Sequence, residues 1–191
     1  MKKLLTILTI ISCTFAYSHA DNIKEVQLDV ISLGDSALKY FTKNELKNSS
    51  EEFFYKNKTY KYYFINTKKF KPYDGIQVTV KPNDPNFIIY NLDGVTWIKN
   101  FEECKIQMND VSKEFEKISS SRGVVDKGKH PMDKTGNSNY ERILYRFSNG
   151  YAEIICFDMS KKLEAKGKFD RFSVSLGFNE FREFLKDVHY K

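Results

Sequence analysis

The chain has 191 residues, enough for one domain with its own hydrophobic core, and a hydrophobic content of 41% with 15% aromatics excludes a disordered polymer. Its 31 basic and 25 acidic residues give a formal net charge of +6. The abundance of Lys, Asn, Ile, Phe and Tyr is what an AT-rich genome encodes. Because that accounts for the basic character, we infer no nucleic-acid binding from it.

The first twenty residues have the pattern of a secretory signal peptide. A positively charged start is followed by an apolar run at residues 4–11, which is too short to span a membrane. Ser18-His19-Ala20 places small residues where a signal peptidase requires them. The pattern predicts cleavage between Ala20 and Asp21, export to the periplasm or beyond, and a single mature domain at residues 21–191 with no transmembrane span.

Lipoprotein processing is the alternative at this end of the chain. Ile10-Ile11-Ser12-Cys13 resembles a lipobox, in which Cys13 would be lipidated and become the first mature residue. The protein would then be held at the membrane surface by its lipid.

The next part of the chain is predicted as a strand, a helix and a run of strands. Alternating apolar residues predict a strand at 25–33, and Gly34-Asp35-Ser36 ends it and caps a helix at 36–47. Aromatic and β-branched segments predict strands at 52–56, 60–66, 76–81 and 87–92. Asp93-Gly94 is typical of a hairpin turn and predicts a further strand at 95–98.

A central amphipathic helix is predicted at residues 100–118. Asn100 is a good N-cap, and Glu103 stands at the capping-box spacing. The apolar residues recur at intervals of three and four, which places them on one face that must be buried. They are Phe101, Cys104, Met108, Val111, Phe115 and Ile118.

The segment at 119–139 has no periodicity and is predicted as a long loop. A strand at 140–147 and a hairpin at Asn149-Gly150 follow, and then a strand at 151–158 that is apolar on both faces and therefore central. After a polar connector at 161–168, a strand at 169–176 and a helix at 178–188 close the chain. This order predicts an α+β fold, a mostly antiparallel sheet with about three helices packed on it.

The loop at 127–138 contains the residues that could carry chemistry. His130 and Asp133 are weak candidates for a base and the group that orients it, and Ser138 for a nucleophile. No G-x-S-x-G elbow supports them, and a polar loop held by local turns is the simpler interpretation. No ligands stand at metal-binding spacing, so we predict neither a metal nor a cofactor.

Cys104 and Cys156 are predicted to form a disulfide. Loss of the signal peptide, or processing at Cys13, leaves these two as the only cysteines free to pair, and an exported compartment is oxidising. A helix packed on the central strand could bring them together.

The sequence resembles an uncharacterised family of small exported proteins from marine bacteria. The resemblance rests on residues 31–41 (ISLGDSALKYF), Glu103-Cys104, residues 130–138 (HPMDKTGNS) and residues 156–160 (CFDMS), and it covers nearly the whole mature chain. The family has no assigned activity. The resemblance therefore implies export and a single domain, and it assigns no catalytic role to any residue.

These observations favour a non-catalytic periplasmic or envelope protein that binds an envelope protein or a small ligand. Two alternatives stay open: a small exported hydrolase using His130 and Asp133, and an envelope-assembly lipoprotein anchored at Cys13.

Overall fold

A computed structural model describes residues 20–49, 51–98, 100–130 and 133–189, and its main feature is an antiparallel sheet of eight strands. The predicted signal peptide as far as residue 19, with Cys13, lies outside the described residues. Two short strands, β1 (Gln27–Leu28) and β2 (Ile31–Ser32), pair with each other. The large sheet contains β3 (Glu51–Phe54), β4 (Lys61–Asn66), β5 (Gly75–Val80), β6 (Asn91–Trp97), β7 (Val124–Lys129), β8 (Asn139–Arg146), β9 (Gly150–Asp158) and β10 (Arg171–Phe178).

Four α-helices accompany the sheet: α1 (Lys43–Lys47), α2 (Phe101–Ile118), α3 (Lys161–Glu164) and α4 (Asn179–Phe184), the last continuing into a π-helical turn, Leu185–His189. Short 3-10 turns occur at Ile23–Glu25, Ala37–Lys39 and Lys56–Lys58. Within the described ranges, no helix combines the length and the apolar content needed to cross a membrane.

The sheet is built from two similar halves that meet in its middle. In each half a helical segment precedes a meander of four strands, and the strand order is β3-β4-β5-β6-β10-β9-β8-β7. The final strands of the two meanders, β6 and β10, pair antiparallel along their length. The α+β class with a mostly antiparallel sheet is therefore confirmed.

One face of the sheet carries the hydrophobic core. The 3-10 turns of the N-terminal segment, α1 and α2 cover this face, and their apolar residues form one cluster with those of the strands. In α2, Asn100 caps the first turn by accepting a hydrogen bond from the Glu103 backbone N–H at 2.9 Å, as predicted. Cys104, Met108 and Phe115 of the predicted stripe are buried, whereas Ile118 is 40% exposed.

The predicted disulfide between Cys104 and Cys156 is present in the structure. It joins α2 to β9, and the two Cα atoms lie 5.8 Å apart, within the range that a disulfide requires. The bond closes a loop with a sequence separation of 52 and fixes the central helix on the sheet.

The predicted hairpin at Asp93-Gly94 is wrong, because both residues lie inside the continuous strand β6. The glycine is needed for packing here. A Cβ atom on Gly94 would lie 2.5 Å from the ring of Tyr73, which covers the strand at this point. The predicted strand at 87–92 is wrong for residues 87–90, which form only one isolated bridge, Ile88 with Ser36, after the positive φ of 51° at Phe87; its last two residues begin β6.

Two further predictions are corrected. The predicted helix at 36–47 consists of the 3-10 turn Ala37–Lys39 and the separate helix α1, which begins at its own capping box formed by Thr42 and Glu45. The predicted loop at 119–139 contains β7, an edge strand that pairs with β8. Val124 and Val125 are both more than half exposed, so β7 has no buried face that would create a periodic pattern.

Candidate functional site

The face of the sheet opposite α2 forms a cleft of about 770 Å³. Successive side chains of a strand point to opposite faces, so the alternate residues of β4, β5, β6, β8, β9 and β10 that do not enter the core line this cleft. The segment around α3 and the C-terminal turn at His189 contribute to its rim. A concave site of this size is suited to a small organic ligand.

The floor of the cleft is made by β10, the final strand of the second half, where it pairs with the first. On this face Arg171 is followed by Ser173 and Ser175, which are small and buried, and Ser173 lines the cleft. Their cross-strand neighbours are larger: Ser173 lies between Val95 and Ile155, and Ser175 lies between Asp93 and Glu153. Small residues in the middle and larger ones on both sides produce the concave shape.

Aromatic side chains dominate the walls. The one tryptophan of the chain, Trp97, is 40% exposed at the rim and lies edge-on to Phe64, with ring centroids 5.9 Å apart. Phe169 extends this rim at 6.3 Å from Trp97. The aromatic residues that line the cleft are Phe53, Tyr55, Tyr62, Phe64, Trp97, Tyr140 and Phe157.

Several charged groups in the cleft are matched by ion pairs. Arg142 on β8 contacts two carboxylates: Nη2 lies 2.7 Å from Asp126, and Nη1 lies 3.1 Å from Glu153. Burial raises the pKa of Glu153 even though Arg142 opposes that shift. On the other wall, Lys168 donates to Glu51 at 2.5 Å.

Asp93 lies on the floor next to β10 and is held by neutral amides. Its Oδ2 atom accepts hydrogen bonds from Gln77 at 2.7 Å and from Asn91 at 2.8 Å. The Tyr151 hydroxyl donates to the Asn91 side chain at 3.1 Å and so extends the network beneath the cleft. Burial raises the pKa of Asp93, and the hydrogen bonds from Ser175, Asn91 and Gln77 together with the charge of Arg171 oppose that shift.

Arg171, at the start of β10, has a different environment from the other cleft cations. Its guanidinium stacks over the ring of Phe157 at 4.7 Å, and its Nε is fully buried without a hydrogen-bond partner. Among the described residues, none of the ion pairs involves Arg171. Burial lowers the pKa of this side chain.

His130, one of the three residues singled out from the sequence, does line the cleft. Its ring lies 5.3 Å from the ring of Phe157, so it is close to the Arg171 end of the site. Burial lowers the pKa of His130, the charge of Arg171 acts in the same direction, and Asp133 opposes them.

Asp133 and Ser138 have local partners that account for their positions. Ser138 is 0% exposed; its hydroxyl donates to Asp133 at 2.5 Å and accepts from the Ser160 backbone N–H at 2.9 Å. The Asp133 carboxylate also accepts from the hydroxyl of Thr135 at 2.6 Å. These hydroxyl hydrogen bonds, that of Ser138 first, hold the pKa of Asp133 well below its usual range. Both residues act within a turn, and a catalytic role for the three stays a prediction.

Sequence reasoning did not identify Asp93, Arg142, Glu153 and Arg171 as site residues. The alternation of charged and buried residues along the strands could have identified Asp93 and Glu153. Glu153 stands between Ala152 and Ile154, both fully buried, and Asp93 follows buried Leu92 in the same way. A charged residue that alternates with buried ones in an interior strand must face a second, enclosed surface, because an interior charge needs partners or water.

Among the residues that the structure describes, no three His, Cys, Asp or Glu side chains are grouped so as to hold a metal ion. Comparisons with protein-family models, with curated proteins and with solved structures gave no match.

Proposed function

We propose that this chain is an exported periplasmic or envelope protein that binds a small organic ligand, without catalysis, in the cleft on the open face of the sheet. The observation that carries the proposal is the cleft itself, with small residues on its floor, aromatic walls and charged groups at depth. Ligand sites of soluble proteins commonly combine a largely apolar concave surface with a few fixed polar groups. The signal-peptide pattern and the disulfide support export.

The position of Trp97 makes the proposal testable with the mature chain that begins at Asp21. A library of small metabolites is screened by thermal denaturation, and the compounds that raise the Tm are titrated while Trp97 emission is recorded. Because this is the one tryptophan of the chain and it stands on the cleft rim, a bound ligand should change its emission. Compounds that stabilise the protein without changing that emission would place binding elsewhere.

A matched pair of variants assigns the site. Trp97 and Phe54 are similarly exposed, at 40% and 42%, but Phe54 does not line the cleft. Trp97→Ala should weaken ligand binding at least tenfold, because the ligand can no longer stack on the exposed indole ring. Phe54→Ala should leave ligand binding unchanged. Equal losses in both variants would contradict the assignment.

A small exported hydrolase is the second candidate, and the placement of His130 in the cleft favours it. Burial lowers the pKa of His130, which favours the neutral imidazole that a general base requires. A screen of ester, phosphate and glycoside substrates tests it. Activity that survives in His130→Ala would remove this residue from the mechanism, and activity lost in that variant but kept in His189→Ala would support the enzyme.

The lipoprotein alternative concerns the anchor and leaves the cleft unchanged. The intact mass of the mature protein decides it, because an acylated Cys13 and a free Asp21 at the N-terminus give clearly different values.

A further inference from the structure

Arg171 is a half-buried cation with a fully buried hydrogen-bond donor that the protein does not use. The Nε atom has no partner, and the guanidinium has no ion pair with a described residue, although the charges of Asp93 and Glu51 act on it from a greater distance. A buried donor without a partner is costly, and native structures seldom leave such a group without a function. The unsatisfied Nε donor therefore indicates a group that comes from outside the chain.

The other cations of the cleft cannot explain this arrangement. Arg142 is held between Asp126 and Glu153, and Lys168 is held by Glu51. Asp93 is the acid on the floor, but it is four residues along the paired strands from the Arg171 position and is bound by Gln77 and Asn91. Lys129 and Lys166 also line the cleft, but both are exposed to solvent. Among the described residues of the lining, Arg171 is thus the cation with a fully buried donor that no carboxylate holds in an ion pair.

The surroundings of Arg171 specify the shape of the ligand. Across the sheet it lies between Trp97 on β6 and Phe157 on β9, and Tyr140 follows Phe157 on β8. These aromatic rings stand around a small floor residue, Ser173, which leaves room for a flat body. Planar apolar rings pack well on aromatic side chains.

The acids near Arg171 bear on the charge of the ligand. The charges of Glu51 and Asp93 act on Arg171, so an oxyanion with two negative charges would meet more repulsion from them than one with a single charge. The planar fork of the guanidinium fits the two oxygens of an oxyanion.

We infer that the cleft binds a planar aromatic acid, whose singly charged oxyanion is held by Arg171 while its ring packs against Trp97 and Phe157. This inference rests on the proposed function and names the class of ligand for the same site. Arg171 acts as a binding residue and Ser173 provides the space for the ring.

Two fluorescent probes with the same rings separate charge from shape. 8-Anilinonaphthalene-1-sulfonate carries an oxyanion, and N-phenyl-1-naphthylamine lacks it. In the wild-type protein the sulfonate should bind at least tenfold more tightly and should quench Trp97 by energy transfer. Arg171→Gln should remove that preference, Arg171→Lys should keep part of it, and Arg146→Gln, an exposed arginine on β8 outside the cleft, should not change it.

A competition experiment on the wild-type protein keeps the test independent of how the variants fold. Displacement of the sulfonate probe should be at least tenfold more effective with 1-naphthoate than with neutral 1-naphthalenemethanol, and also better than with 1-naphthyl phosphate, a dianion near pH 8. Equal displacement by the acid and the alcohol would overturn the anion site, and stronger displacement by the phosphate would overturn the preference for a monoanion.

The outcomes distinguish this inference from the proposed function. If both probes quench Trp97 equally and Arg171→Gln changes neither, the cleft binds ligands but the anion site is wrong. If neither probe affects Trp97, the ligand-binding cleft itself is contradicted.

Discussion

At the scale of single residues, Arg171 illustrates a conflict between stability and function. Its charge is desolvated by burial, which lowers its pKa; the charges of Asp93 and Glu51 oppose that shift, but no described residue forms an ion pair with it. Natural proteins retain such unfavourable groups where a ligand uses them. The effect of Arg171 on the stability of the ligand-free protein is therefore a test of its role in ligand binding.

We expect Arg171→Met to increase the free energy of unfolding of the ligand-free protein by about 1 kcal/mol, because an apolar side chain of similar length removes a desolvated charge that has no ion pair with a described residue. Urea denaturation followed by circular dichroism measures the change. Arg146→Met, at an exposed position, should stay within about 0.5 kcal/mol of the wild type. A loss of more than 1 kcal/mol in Arg171→Met would mean that the charge stabilises the fold.

His130 should make the stability fall on mild acidification. Its pKa in the folded chain is lowered by burial and by Arg171, so between that value and its ordinary value of about 6.5 the unfolded chain binds more protons. Stability from the neutral imidazole is present above pH 6.5 and is lost as the pH falls through this window. Thermal denaturation between pH 7.5 and 5.5 should show a smaller decrease in Tm for His130→Gln than for the wild type.

The difference between variant and wild type is the relevant quantity in that experiment. Burial raises the pKa of Asp93 and of Glu153, and these two carboxyl groups act in the opposite sense in acid. His189, whose pKa burial also lowers, provides a companion variant, His189→Gln. An identical decrease in Tm for His130→Gln and the wild type would contradict the burial of the neutral imidazole.

Gly94 should be intolerant of a side chain. A Cβ atom there would meet the ring of Tyr73 at 2.5 Å, so Gly94→Ala must displace a buried ring and should cost about 2 kcal/mol of unfolding free energy. Gly167 has a positive φ of 78° but open space around its Cβ position, so Gly167→Ala should cost only about 1 kcal/mol. Urea titrations of both variants check the order, and a milder effect at Gly94 would show that Tyr73 can move.

At the scale of elements, the sequence predicts those helices and turns that follow from residues at a regular or characteristic local spacing. The stripe and N-cap of α2 and the hairpin before Gly150 were predicted because each follows local rules. Asp93-Gly94 has the composition of a turn, but pairing with β5 on one side and β10 on the other keeps it in a strand. β7 was not predicted because its side chains are largely exposed and show no alternation. It forms a strand because it pairs with β8.

The disulfide is the element-scale contact with the largest expected effect. Replacing both cysteines by alanine should lower the free energy of unfolding by roughly 4 kcal/mol, since the bond closes a loop with a separation of 52 residues. Denaturation of the double variant and of the oxidised wild type gives the value. Alkylation of the denatured, unreduced protein is the control, and two labelled thiols per chain would contradict the bond.

At the scale of the whole molecule, the candidate site belongs to neither half alone. Asp93 and Trp97 come from the first meander, Arg142, Glu153 and Phe157 from the second, and β10 provides the floor between them. The pairing of β6 with β10 joins segments far apart in the chain, and no local pattern specifies it. The α+β class could therefore be predicted, whereas the cleft could not.

We expect the two halves to unfold together. The apolar residues of both meanders, the N-terminal segment and α2 form one continuous core cluster, so neither half retains its core when the other unfolds. Urea transitions followed by Trp97 fluorescence and by far-ultraviolet circular dichroism should have the same midpoint. Separate midpoints would indicate that each half is a cooperative unit.

The position of β10 also has a consequence for the order in which the protein is made. It follows the other nine strands of the described residues in sequence, yet it lies between β6 and β9 in the sheet. Until a growing chain has released residues 171–178, these two neighbours have open edges that can pair with other chains. Assembly of the sheet must therefore wait until residue 178 has been made, and any nascent or shortened chain without this strand is an aggregation hazard that a chaperone would have to shield.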